Sequence, residues 1–155
     1  MYLTLGTYYN QIFDEIIPSS VPHLDFGFYF NQEIRSRIPN SVTHLNFGNY
    51  FNQNIKGIIP ESVTHLNFGF NFIQPINDYI PDSVIYLSFE KDINQYITIK
   101  GNIPTSVRYL RLGHSFDQDL TANDDLPQSI THLIISNEYI YKHKLQFYKI
   151  NIRYY

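Results

Sequence analysis

Histidine and serine are the residues in this chain best suited to chemistry, and both recur at regular intervals. His23, His44 and His65 are 21 residues apart, and the same position is continued by Tyr2 before them and by Tyr86, Tyr109 and His132 after them. Neutral imidazole is a common metal ligand. A zinc site, however, needs ligands that converge tetrahedrally, whereas residues in one column of adjacent strands point in parallel. The spacing therefore predicts an exposed stacking ladder, with no metal site. Asp25 stands close enough to His23 for an ion pair, but no nucleophile accompanies them.

Ser20, Ser41, Ser62, Ser83, Ser106 and Ser129 also recur. Nucleophilic catalysis needs one activated serine with a base and an orienting group, not a set of equivalents at turns. The acidic run from Asp117 to Asp125 has calcium-loop spacing, but Ala122 replaces the glycine of the sharp turn and Gln128 the closing glutamate. No phosphate loop, zinc-protease helix or glycine-flanked serine elbow is present. The expectation is a non-enzymatic protein with no catalytic residue, metal or cofactor.

The elements that position these columns follow from the string Ile-Pro-x-Ser-Val-x-x-Leu. Its prolines are Pro18, Pro39, Pro60, Pro81 and Pro104, with a Leu-Pro version at Pro127, in steps of 21, 21, 21, 23 and 23 residues. Such a period marks a solenoid of stacked units. In the unit from Ile38 to Ile59, Pro39 fixes φ and biases Ile38 toward extended backbone, while Ser41 can bond the turn, which sets a corner. Leu45 and Phe47 then face one side of a strand while His44, Asn46 and Gly48 face the other. The strands centre on Leu3, Leu24, Leu45, Leu66, Leu87, Leu110 and Leu133.

One unit cannot stand alone. Burying each apolar side chain contributes about 2 kcal/mol, against about 1 to 2 kcal/mol for ordering each backbone residue. Stacking resolves the deficit by burying both flanks of each unit. The predicted fold is a leucine-rich-repeat-like solenoid with a parallel β-sheet of about seven short strands on one face. Irregular, extended or short helical segments form the other face, and the chain is helix-poor.

On the far side of each unit, Gln11, Gln32, Gln53, Gln74, Gln95 and Gln118 run beside Asn10, Asn31, Asn52, Asn94 and Asp117. Amides repeated at turns suit a ladder that pairs backbone groups of neighbouring units.

The cassette Phe51-Asn52-Gln53-Asn54-Ile55 followed by Ile59-Pro60 resembles the FNIP repeat, a relative of the leucine-rich repeat. It appears also as Phe30-Asn31-Gln32-Glu33-Ile34, and with changes at Phe72 to Ile76 and Phe116 to Leu120, so the resemblance covers about Leu3 to Ser136. The fourth unit departs from it through Ile93 and Glu90, and the asparagine follows the strand phenylalanine by five residues where ordinary leucine-rich repeats have three. The resemblance implies a protein-interaction scaffold of a family common in amoebae and giant viruses. Some members carry an F-box that recruits a ubiquitin ligase, so a substrate-recognition module is implied; no F-box stands among these 155 residues.

Composition narrows the partner. A net charge of −3, 43% hydrophobic residues and 16% charged residues describe a globular chain without drive toward nucleic acid or anionic membrane. The basic residues Lys142, Lys144, Lys149 and Arg153 read as a solvated face. Cysteine, glycosylation sequons, a signal peptide and long apolar runs are all lacking. An intracellular, cytoplasmic protein with a protein partner is expected.

Two domain regions are expected: the solenoid over 1–137, and a β-like cap or basic tail over 138–155, where Lys144 to Phe147 and Ile150 to Arg153 alternate. The two-residue insertions before Pro104 and Pro127 predict lengthened loops side by side at one edge. The first strand lacks an evident cap, which makes self-association through the N-terminal edge the alternative function. Early units repeat their outward residues almost unchanged, whereas later ones vary. The binding patch is therefore expected at Tyr86, Ser88, Glu90, Tyr109, Arg111 and His114, with Tyr109 and Arg111 as anchors.

Overall fold

The computed structural model describes residues 1–90, 98–120, 125–147 and 150–155. Eight strands form one parallel sheet in chain order: β1 (Tyr2–Thr4), β2 (His23–Asp25), β3 (His44–Asn46), β4 (His65–Phe68), β5 (Tyr86–Phe89), β6 (Tyr109–Arg111), β7 (His132–Ile135) and β8 (Asn151–Tyr154). The register runs through the repeat leucines, with Leu3 opposite Leu24, then Leu45, Leu66, Leu87, Leu110 and Leu133. Ile152 of β8 continues the same column. The solenoid fold is as the repeat predicts.

Each unit sends the same set of side chains inward. Val63, Leu66, Phe68, Phe72, Ile76 and Ile80 are all buried, and so are their counterparts in the preceding unit, Val42, Leu45, Phe47, Phe51, Ile55 and Ile59. The phenylalanines stack face to face along the solenoid: Phe47 and Phe68 are 5.4 Å apart at 12°, and Phe51 and Phe72 are 6.3 Å apart at 2°. Offset stacks of this kind add to the area each ring buries.

Corners and turns close as the sequence demands, with one refinement. The Val42 N–H donates to the Pro39 carbonyl, closing the corner. From Ser41 onward the serine hydroxyls do not serve their own turn; each donates to the valine carbonyl one unit back, as in Ser62 to Val42 and Ser83 to Val63, both at 2.7 Å. Gly48 has φ of 76°, and a Cβ there would collide with the carbonyl oxygen of Gly27. Glycine therefore lets successive turns come together more closely than any side chain allows.

Beyond β7 the repeat code ends, and the expectation there is half corrected. Residues Lys142–Phe147 form a 3-10 helix in place of an alternating strand. Leu145 is buried in it while Lys142 and His143 are exposed. β8 then returns to the sheet as an eighth strand beside the seven of the repeats. Tyr139 occupies the core position held by Phe116 one unit earlier, stacking on it at 5.8 Å. Its buried hydroxyl donates to the Gln118 carbonyl and accepts from Leu120 N–H.

Ile93, Asn94 and Gln95 lie outside the described residues, as do Lys149 and most of the two inserted loops. No helix among the described residues is long and apolar enough to cross a membrane.

Candidate functional site

The ladder on the strand face has the geometry its spacing predicts. Ring centroids are 4.2 Å apart for Tyr2 and His23, 4.1 Å for His23 and His44, and 4.1 Å for His44 and His65. It continues at longer intervals through Tyr86 and Tyr109 to His132. Among the described residues no cluster of three or more metal-ligating side chains converges.

Asp25 pairs with the neighbouring amides and not with His23. Its Oδ1 accepts from Gly27 N–H and its Oδ2 from Asn46 Nδ2, while Asn67 Nδ2 donates to Asn46 Oδ1. Burial and the nearby imidazole charges of His65 and His23 hold the His44 pKa below the ordinary value. The His65 value is lowered likewise, by burial and by His23. Both rings are therefore neutral at neutral pH.

The six residues expected to bind a partner separate into three groups. Tyr86 and Tyr109 belong to the ladder, and Tyr109 is 40% exposed. Arg111, Glu90 and His114 come together, but they are engaged within the chain. Arg111 lies 3.8 Å from Glu90 and its guanidinium sits 5.4 Å from the centroid of the Tyr155 ring. His114 is 3.2 Å from Ser136 Oγ and 3.7 Å from Glu138. Ser88 is corrected: it is only 2% exposed, and its hydroxyl has no hydrogen-bond partner among the described residues. It stands in the sheet between Asn67 and Arg111, whose longer side chains flank a short one.

A second surface was not anticipated. Tyr8, Phe28, Tyr29, Tyr50 and Phe70 project from the turns that follow β1 to β4, and Tyr8 is 83% exposed. Tyr8 stacks on Tyr29 at 5.3 Å and Tyr29 meets Tyr50 at 4.9 Å, with Phe28 packed against both Tyr29 and Tyr50. A contiguous exposed aromatic edge is unusual, since scattered apolar residues are the norm for surfaces. Its sequence signal is the tyrosine repeated at a 21-residue step, Tyr8, Tyr29 and Tyr50, just before the core ring in Tyr29-Phe30 and Tyr50-Phe51.

The pattern of the FNIP repeat matches residues 30–69, 51–92 and 94–138. The chain belongs to the FNIP repeat family. The crystal structure of CroV588, described as a novel circular LRR protein, is similar at 36% identity and a TM-score of 0.71. That match covers 88% of this chain and 20% of CroV588. No curated protein sequence matches significantly. In the FNIP repeats of this chain the recurring residues are the buried apolar, serine and amide columns, so they account for stacking. The aromatic edge and the region around Arg111 lie outside those columns, on the surface.

Proposed function

We propose that this FNIP solenoid is a non-enzymatic protein-interaction module whose contact surface includes the aromatic edge of the first four units. The observation that carries the reading is the contiguous exposure of Tyr8, Phe28, Tyr29 and Tyr50, with Phe70 exposed in the next turn. Tyrosine in particular supplies large contact area with a polar handle, which is why it dominates interface hot spots. The Tyr109 and Arg111 region is the second contact candidate, with Glu90 adding charge selectivity. Family resemblance extends the reading to a substrate-recognition role of the kind F-box relatives perform.

The test compares capture of host proteins by the native chain and by Tyr29→Ala/Tyr50→Ala, Tyr109→Ala and Arg111→Ala, each first shown to unfold at the native temperature. Loss of a specific partner in the first variant supports the aromatic edge, and loss in either of the others moves contact to the later units. Equal retention in all of them removes both surfaces from consideration.

A second reading is self-association. In this chain β1 is an outer strand of the sheet, Tyr2 is 77% exposed, and Leu3 and Leu5 are only partly covered. Open strand edges template pairing with another chain. Light scattering across a wide concentration range checks this: a constant monomer mass removes the reading.

A further inference from the structure

Three of the strand-face histidines directly follow a threonine, and the pairs share one geometry. Thr43 Oγ1 lies 3.0 Å from His44 Nδ1, Thr64 Oγ1 3.0 Å from His65 Nδ1, and Thr131 Oγ1 2.9 Å from His132 Nδ1. Each threonine oxygen is also 3.2 Å from a carbonyl oxygen of the preceding unit, that of Pro22, Thr43 or Arg108. A hydroxyl has one proton to give. If it goes to the carbonyl, the ring donates from Nδ1 and Nε2 is a bare acceptor; if it goes to Nδ1, then Nε2 carries the hydrogen.

His132 favours the first. With its amide nitrogen toward the ring, Asn151 stands 3.4 Å from His132 Nε2, and a donor in that place suits a bare lone pair opposite it. The matching Thr–His geometry extends the same tautomer to His44 and His65. No group among the described residues hydrogen-bonds to Nε2 of either ring. Above them runs a groove of about 390 Å³, walled by Tyr2, His23, Asp25, His44, His65 and Tyr86, with no Lys or Arg in its lining.

We propose that this groove is a binding site for an arginine side chain of a partner protein, received by Nε2 of His44 and His65 and by the Asp25 carboxylate. Charge complementarity selects the occupant, because Asp25 is the one carboxylate of the lining and its neighbours offer acceptors and ring faces. A guanidinium meets both requirements: its fork gives several donors in one plane, and that plane stacks on aromatic rings. The adjacent rings of His44 and His65 are 4.1 Å apart and 9° from parallel, which sets two acceptors side by side. Each Asp25 oxygen accepts one hydrogen bond already and retains capacity for another.

The same arrangement makes the site sensitive to acid. Protonation turns each Nε2 from acceptor to donor and puts positive charge where the guanidinium must lie. From the flanking strands His44 meets His23 and Asp25 on β2 and His65 on β4, and His65 meets Tyr86 on β5. Asp25 alone among these favours the protonated ring. Lowered imidazole pKa values leave the site open at neutral pH and closed below the histidine range.

The test is two-bond proton–nitrogen NMR of the histidine rings in the full chain, titrated with the blocked peptide Gly-Arg-Gly. The controls are the same peptide with citrulline or glutamate in place of arginine. At about pH 7.5 the expected result is Nδ1-protonated His44 and His65, with saturable shifts from the arginine peptide alone. These shifts weaken as the rings are protonated at pH below the ordinary histidine range. The variant His44→Tyr/His65→Tyr keeps a stacked ring of the kind Tyr86 supplies, and it should reduce the response of the remaining groove signals to the level of the citrulline control. An Nε2-protonated tautomer, a response to glutamate, or no response to arginine overturns the proposal.

Discussion

Asn31 reaches across the gap between units to Asn52, accepting its backbone N–H on Oδ1 at 2.8 Å. Gln53 Nε2 donates to the same oxygen at 2.9 Å and to the Asn31 carbonyl at 3.1 Å. One unit on, Asn52 repeats the arrangement with Ile73 N–H and Gln74 Nε2. On this side of the solenoid, amides do the work that a ladder of backbone bonds does in the sheet, because the turns bring few backbone donors and acceptors into register.

Removing the acceptor should therefore cost more than removing one hydrogen bond. Asn52→Ala leaves Ile73 N–H and Gln74 Nε2 without their partner, and an orphaned donor at a partly buried site costs about 1 to 3 kcal/mol. Asn52→Asp keeps an acceptor in place and should retain most of the stability. Denaturant melts of the two variants check this. An equal loss in both would show that the amide ladder acts through something other than acceptance.

Leu66 is fully buried in the middle of the sheet, with Leu45 and Leu87 on either side. Leu66→Ala should cost about 2 to 5 kcal/mol, as deleted core leucines do. A thermal midpoint close to that of the native chain would contradict the inward assignment of the column.

The strand register was legible because two periods agree. Alternation decides which side Leu45 and Phe47 take, and the 21-residue step puts Leu66 and Phe68 beside them. The same reasoning fails where either period stops. Lys144 to Phe147 alternates by composition, but the segment lies outside the repeat and coils into a 3-10 helix. Ser88 occupies an outward position, yet outwardness does not measure depth when Asn67 and Arg111 flank a short side chain. Arg111 looked free because its ring partner, Tyr155, lies far away in sequence. Only the three-dimensional path brings the Tyr155 hydroxyl onto the Leu112 carbonyl at 2.7 Å. The aromatic edge escaped notice since alternation has no meaning in the turns that carry Tyr29 and Tyr50.

Two glycines with the same backbone conformation should respond differently to a methyl group. Gly48 and Gly57 have φ of 76° and 71°, but a Cβ at Gly48 runs into the Gly27 carbonyl whereas one at Gly57 meets open space. Gly57→Ala should cost about 1 to 2 kcal/mol, the penalty of left-handed backbone. Gly48→Ala adds overpacking to that, for about 2 to 5 kcal/mol in all. Similar melting temperatures for the two would mean that the turns separate easily, against the close stacking of Gly27 and Gly48.

The histidine ladder should make stability depend on pH in one direction. His44 and His65 titrate below the ordinary 6.5 in the folded chain, so the unfolded chain binds protons first as pH falls. Their contribution is fully present above about pH 7.5 and diminishes as pH drops through 6.5. It stops falling once the folded rings are protonated as well. Carboxylates held low in the folded state would lose their contribution only at more acidic pH, so the two effects separate along the axis. Thermal midpoints measured between about pH 8 and about pH 5 should decline for the native chain. The decline should flatten in His44→Tyr/His65→Tyr, which keeps the stack and removes both titrations. Matching slopes for the two proteins would place the acid-sensitive groups elsewhere in the fold.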